Sequence, residues 1–187
     1  MREDINKAVE ILNKGGIILY PTDTVWGLGC DATNPEAVEK IFRIKKRNEQ
    51  KSMLILLNNI SSIYSYIEIV PQIAFDLIEL SDKPLTVIFP GAKNLAENLI
   101  ASDGSIGIRI THEHFTEQLL RKFRKPIVST SANIADTETP LNFKQISDEI
   151  KEKVDYIVEY KQNDLAFGNS SSIIKIGLNN EVKVIRE

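Results

Sequence analysis

What this chain lacks narrows its class before any motif is read. A single cysteine, Cys30, cannot form an internal disulfide, which suits a reducing cytoplasm. No apolar run approaches the length of a membrane span, so no membrane role is expected. The first residues, Met1-Arg2-Glu3-Asp4-Ile5-Asn6-Lys7, are polar and hold no apolar signal core. There is no excess of positive charge: the net charge is −3, so the chain as a whole does not read as a nucleic-acid binder. Neither a Gly-x-x-x-x-Gly-Lys-Ser/Thr loop nor a Gly-x-Gly-x-x-Gly turn occurs. The two histidines, His112 and His114, have no third ligand near them and read as a solvated helix start, not a metal site. Repeats, low-complexity segments and long linkers are missing too.

What remains is 187 residues, 42% hydrophobic and 26% charged, enough for one domain with a real core. Asp4 is placed to cap a helix that carries Ala8, Val9, Ile11 and Leu12 on one side and ends at Gly15-Gly16. Asn34-Pro35-Glu36 starts a helix with Ala37, Val38, Ile41 and Phe42 on one face. Strands are expected near 17–20, 26–30, 53–57, 85–89, 106–110, 127–130, 155–159, 172–176 and 182–185, with further helices near 71–80, 113–122 and 143–150. The segment 131–142 reads as a loop. The alternation predicts a single α/β domain (α+β in some schemes) over 1–187, built on a mixed sheet.

Four stretches carry chemistry. In Tyr20-Pro21-Thr22-Asp23-Thr24-Val25-Trp26-Gly27-Leu28-Gly29, hydroxyls and a carboxylate follow a proline at a strand end, and the glycines permit close approach of a ligand or another strand. An ordinary strand–turn–strand connection would look similar. Arg43, Lys45, Lys46, Arg47 and Lys51 put five cations into nine residues against one acid, Glu49. Such a run can hold a triphosphate or an RNA backbone, or simply form a solvated face at a helix C-terminus. Arg109 lies in Ser105-Ile106-Gly107-Ile108-Arg109-Ile110, where alternation sends the isoleucines to the core and Gly107 and Arg109 to the other face. There it either grips a carboxylate bidentately or is a surface arginine. Ser129-Thr130-Ser131-Ala132-Asn133 places hydroxyls and an amide after a short strand, and Gly168-Asn169-Ser170-Ser171-Ser172 forms a second hydroxyl group. Cys30, with no histidine near it in sequence, reads as a small buried hydrophobe and not a nucleophile.

In this order the segments Pro21–Leu28, Ile41–Arg47, Pro84-Leu85-Thr86, Ile108-Arg109, Ser129–Asn133, Ser171-Ser172-Ile173 and Val184-Ile185-Arg186 resemble the YrdC/TsaC family of threonylcarbamoyl-adenylate synthases, short bacterial type. The resemblance implies a twisted open sheet flanked by helices, with a concave, positively lined face. It also implies a nucleotidyltransferase that turns L-threonine, bicarbonate or CO2, and ATP with Mg²⁺ into threonylcarbamoyl-AMP and pyrophosphate. The product feeds modification of adenosine 37 of tRNA, and transfer to tRNA belongs to a separate threonylcarbamoyl-transferase complex. Weak tRNA binding is a further expectation.

By position, the resemblance gives Thr22, Arg109, Ser129 and Ser171 to L-threonine, with Arg109 on the carboxylate. It gives Lys45, Arg47, Lys51, Ser105, Ser131, Asn133 and Arg186 to the nucleotide, with Lys45 and Arg47 at its phosphates as the catalytic cations. The chain departs from the family pattern at Leu56, where a histidine is common, and at Asn48, Ser52-Met53 and Thr111. The rival reading is a non-catalytic module for tRNA or double-stranded RNA. A lesser rival is another carbamoyl-adenylate former of the same fold.

Overall fold

The computed structural model describes residues 1–46, 53–164 and 170–187. Helix α1 (Arg2–Asn13) ends where Gly15 takes φ of +70°, and the chain turns into β1 (Ile18–Tyr20). Strand β2 (Gly27–Gly29) returns antiparallel to β1, pairing Tyr20 with Gly27. Helix α2 (Pro35–Lys45) starts as expected, with Asn34 Oδ1 accepting from the Glu36 and Ala37 amides. Strands β3 (Leu54–Leu57), β4 (Leu85–Phe89) and β5 (Ile106–Ile110) follow, with α3 (Ile73–Glu79) between the first two. Helix α4 (His114–Phe123) precedes β6 (Ile127–Ser131), and α5 (Asp148–Lys151) precedes β7 (Tyr156–Ile157). Strands β8 (Ser172–Ile176) and β9 (Val182–Arg186) complete the chain.

Among the described residues, nine strands join one mixed sheet in the order β7-β1-β2-β6-β3-β5-β4-β8-β9. Pairs β1–β7, β3–β5 and β4–β8 are parallel, and the others antiparallel. Strand alternation assigns two faces. Leu19, Leu28, Ile55, Val87, Ile108 and Val128 point into the main core, closed by Ala37, Val38, Ile41 and Phe42 of α2. The opposite face is divided. Ile18, Tyr20, Leu56 and Ile127 pack under α1 and α4 through Leu12, Phe115 and Leu119. Beyond that cover the same face turns polar: Ser129 and Ser131 follow Ile127 on β6, and Gly107 and Arg109 share this side of β5. Burying half of one face and leaving the rest to hydroxyls is what creates a site here.

Two local expectations are corrected, and one element was not foreseen. Asp4 does not cap α1, since Met1 stands at the N-cap. Instead Asp4 is buried and accepts from Tyr156 Oη at 2.7 Å and the Glu159 amide at 2.9 Å, tying α1 to β7. The helix expected over 143–150 is a 3-10 turn, Phe143–Gln145, followed by the single turn of α5. A 3-10 turn at Ile60–Ser65, opened by Asn59 accepting from the Ser61 amide, has no counterpart in the sequence reading. Among the described residues, no helix is long and apolar enough to cross a membrane.

Candidate active site

The Pro-Thr-Asp-Thr turn is held by its own hydroxyls. Thr22 Oγ1 donates to the Val25 carbonyl at 2.7 Å, accepts from the Thr24 amide at 3.1 Å and lies 3.1 Å from Thr24 Oγ1, so both side chains are fixed in a buried turn. Thr116 Oγ1, on α4, donates to the Pro21 carbonyl at 3.0 Å and anchors the turn from outside. Gly27 and Gly29 face the same side as Tyr20. A Cβ on Gly29 would meet Tyr20 Cε1 at 2.6 Å, so the close approach of ring to strand requires glycine there.

Arg109 is 3% exposed, and the surface-arginine reading falls with that. Its Nη2 lies 2.9 Å from Asp23 Oδ1 in a buried ion pair, without good hydrogen-bond alignment at that oxygen, while its Nε is buried with no hydrogen-bond partner. Burial pushes the Arg109 pKa down and Asp23 opposes this. The Asp23 carboxyl is pushed above its ordinary range by burial, against the pull of Arg109. Across the sheet Thr86 pairs with both Arg109 and Ile173, and Ile173 with Arg186, which puts the two arginines on one face. The Thr86 and Ser171 hydroxyls share a hydrogen bond at 2.9 Å, and Arg186 donates to the Ser171 carbonyl from Nε at 3.0 Å and Nη2 at 2.7 Å.

Thr22, Arg109, Ser129, Ser131, Ser171 and Arg186 converge on one cavity of about 200 Å³. These are six of the residues singled out from the sequence, drawn from five separate stretches of chain. Thr24, Thr139 and Ser170 line it as well and were given no role from the sequence. Asp23 was quoted within its motif without a role. Its partner lies far along the chain, and only the fold brings them together.

The remaining expectations fare differently. Lys45 is 2% exposed and does not line the cavity. Its Nζ donates to the Ser131 carbonyl at 2.5 Å, the Asn133 carbonyl at 2.8 Å and Asn133 Oδ1 at 3.3 Å. Asn133 Oδ1 also accepts from Ser131 Oγ at 2.5 Å, so Lys45 and Asn133 form the wall behind Ser131. Ser105 is buried at the far end of β5 and donates to Asp103 Oδ1 at 2.5 Å, outside the cavity lining. Arg47 and Lys51 lie outside the described residues, as do Asn48 and Ser52. Of the other cations in the basic run, Arg43 pairs with Glu39 and Lys46 with Glu149, each at 2.8 Å. Leu56 packs under α4 in the second core and leaves the cavity without a histidine at that position. Cys30 is buried and its thiol pKa is pushed well up by burial, in keeping with a packing role. His114 Nε2 pairs with the exposed Gln118 amide at 2.9 Å. Among the described residues no group of three His, Cys, Asp or Glu is arranged to hold a metal.

Residues 10–187 match the family Sua5_yciO_yrdC, described as telomere recombination. The chain is 32% identical over 181 residues to a threonylcarbamoyl-AMP synthase of Pseudoalteromonas translucida (strain TAC 125), covering 95% of each. The chain belongs to the Sua5_yciO_yrdC family. Solved members share its fold. The crystal structure of E. coli YciO superposes with a TM-score of 0.86 at 28% identity, over 100% of this chain and 90% of that one. P. abyssi Sua5 complexed with L-threonine gives a TM-score of 0.80 at 21% identity, over 92% of this chain, which spans half the length of that protein. At that identity the likeness is one of fold, and the open mixed sheet flanked by helices expected from the sequence is the family's architecture.

Proposed function

We propose that the cavity binds L-threonine and ATP and that the protein is a threonylcarbamoyl-AMP synthase of the pathway that modifies adenosine 37 of tRNA. The observation that carries this reading is the convergence of Arg109, Arg186 and the hydroxyls of Thr22, Ser129, Ser131 and Ser171 on one cavity of about 200 Å³. A guanidinium at the wall of that cavity is suited to a carboxylate. Hydroxyls around it suit a side chain that itself carries a hydroxyl, and they would be left unpaired by an isosteric apolar one. The name of the Pseudoalteromonas relative and the threonine complex of P. abyssi Sua5 agree with that chemistry.

In the proposed reaction the threonine amine loses a proton and its nitrogen attacks CO2, giving a carbamate. A carbamate oxygen then attacks the α-phosphorus of ATP, the α–β phosphoanhydride bond breaks, and pyrophosphate leaves with the bonding electrons. The protein has little covalent work to do. Its contribution is alignment and charge neutralisation, for which Arg186 and Arg47 are the proposed cations around the nucleotide, with Lys45 fixing the Ser131–Asn133 wall. Lys51 and Ser105 are proposed as outer contacts of the nucleotide. Mg²⁺ would enter with the triphosphate as part of the substrate, neutralising its charge. Transfer of the threonylcarbamoyl group to tRNA is left to a partner complex, and a cytoplasmic location fits that role.

The protein with ATP, Mg²⁺ and bicarbonate should release pyrophosphate with L-threonine and at least about a hundredfold less with L-valine. Equal release with both would remove the reading. A module that only holds tRNA or double-stranded RNA would draw on exposed cations and lose affinity steeply with salt. It has no use for a buried arginine among hydroxyls.

A further inference from the structure

Asp23 stands behind Arg109, outside the lining of the main cavity. Its side chain is 13% exposed and that of Arg109 4%, and they meet through one terminal nitrogen, Nη2, at 2.9 Å. Arg109 lines the main cavity, whereas Asp23 does not. Asp23 lines a second cavity of about 190 Å³ on the other side, together with Asp82, Lys83 and His112. A guanidinium is planar, with its donors fixed in that plane. A partner at Nη2 therefore limits how the rest of that plane can turn. The same side chain lines the main cavity.

We propose that Asp23 is a positioning residue, which holds the Arg109 guanidinium at the wall of the main cavity, where it receives the carboxylate of the amino-acid substrate. This rests on the reading that Arg109 grips a carboxylate. Without the anchor, the buried guanidinium would have to be ordered by the ligand itself, and affinity would fall by that ordering cost. The effect would be confined to the carboxylate end of the site. Acidification would act in the same direction as removal of the charge. Asp23 is faced by Arg109 from β5, His112 from the segment after β5, Glu113 at the start of α4, Tyr20 from β1, and Asp82 and Lys83 across the second cavity. Protonating Asp23 releases Arg109, so affinity for the carboxylate falls as pH falls.

The test is calorimetric titration of the wild-type protein and Asp23→Asn with L-threonine, with acetate as a bare carboxylate, and with ATP. Asp23→Asn is expected to bind L-threonine and acetate about tenfold more weakly and ATP unchanged. Wild-type affinity for L-threonine should fall as pH is lowered, while the variant stays flat, because burial pushes the Asp23 carboxyl upward. Unchanged carboxylate affinity in the variant, or weakening of ATP to the same degree, overturns the proposal. If wild type takes acetate but not L-threonine and the variant weakens acetate, the substrate reading falls and the positioning role stands. Binding of neither carboxylate by wild type removes both. Should Asp23→Asn fail to fold, Asp23→Ser is titrated in its place against L-threonine, acetate and ATP, and the same outcomes decide.

Discussion

Lys45 Nζ lies 2.5 Å from the carbonyl oxygen of Ser131, which pins the last residue of α2 to the end of β6. Two further oxygens, both of Asn133, also accept from the ammonium. The family resemblance puts Lys45 at the phosphates, where its loss would cut ATP use and leave the fold nearly untouched. The structure gives it a clamping duty first. Replacing Lys45 by alanine strands buried oxygens and is expected to cost about 2–4 kcal/mol. Urea unfolding monitored by circular dichroism reads this directly. An unchanged midpoint with abolished pyrophosphate release would instead return Lys45 to the phosphates.

Gly27 and Gly29 are two residues apart on one strand face, yet their substitutions should separate. In Gly29→Ala the new Cβ meets Tyr20 Cε1 at 2.6 Å and Ile127 Cγ2 at 3.0 Å, in the core under α1 and α4. Overpacking there should cost about 1–3 kcal/mol. In Gly27→Ala the Cβ lies 3.3 Å from Thr22 Cγ2 and 3.4 Å from Ser129 Oγ, at the cavity wall. This variant should keep most of its stability and weaken L-threonine binding. Thermal melting and amino-acid titration of the pair check the contrast; equal stability losses would contradict it.

Ser171 joins β4 to the cavity through its 2.9 Å hydrogen bond with Thr86, and its carbonyl holds Arg186. Ser171→Ala keeps the carbonyl contact and deletes only the hydroxyl. The expected result is a KM for L-threonine raised about fivefold or more, with the KM for ATP within about twofold of wild type. A rise confined to ATP would move Ser171 to the nucleotide.

Asp103 is held down to about 2 by Lys175 first and Ser105 second, and the carboxylate is half exposed. Its folded value lies below its unfolded one, so the stabilisation is present above about pH 4 and is lost as pH falls through about 2. Solvent screening limits it to about 1 kcal/mol or less. Asp103→Asn should flatten the acid limb of the stability curve between about pH 4 and pH 2 and change little near neutrality. Denaturant midpoints across that range, wild type against variant, provide the measurement.

Where the sequence reading succeeded, the deciding physics is local. Asn34 caps α2 because an amide oxygen before Pro35 reaches the Glu36 and Ala37 amides. The alternation Ile106-Gly107-Ile108-Arg109-Ile110 puts Arg109 opposite the core because strand side chains alternate in any strand. It failed where a side chain's partner comes from elsewhere in the chain. Asp4 has the composition of a cap, yet Tyr156 and Glu159 claim it. Phe143 does not begin a long helix; its ring packs 4.9 Å from that of Trp26 beside a 3-10 turn. Lys45 has the sequence context of an exposed cation and is buried among carbonyls.

The order of hydroxyl-rich turns, the arginine on a glycine-bearing strand and the pattern of apolar residues were set by the sequence alone, since each depends on neighbours within a few residues. Which of these groups meet was decided by the sheet. Its β2-β6-β3-β5-β4-β8-β9 order lays Thr22, Ser129, Arg109, Ser171 and Arg186 around one cavity, while α1 and α4 cover the rest of that face. The same packing set Asp23 behind Arg109 and drew Lys45 inward, because a buried charge must find its partners wherever the fold supplies them.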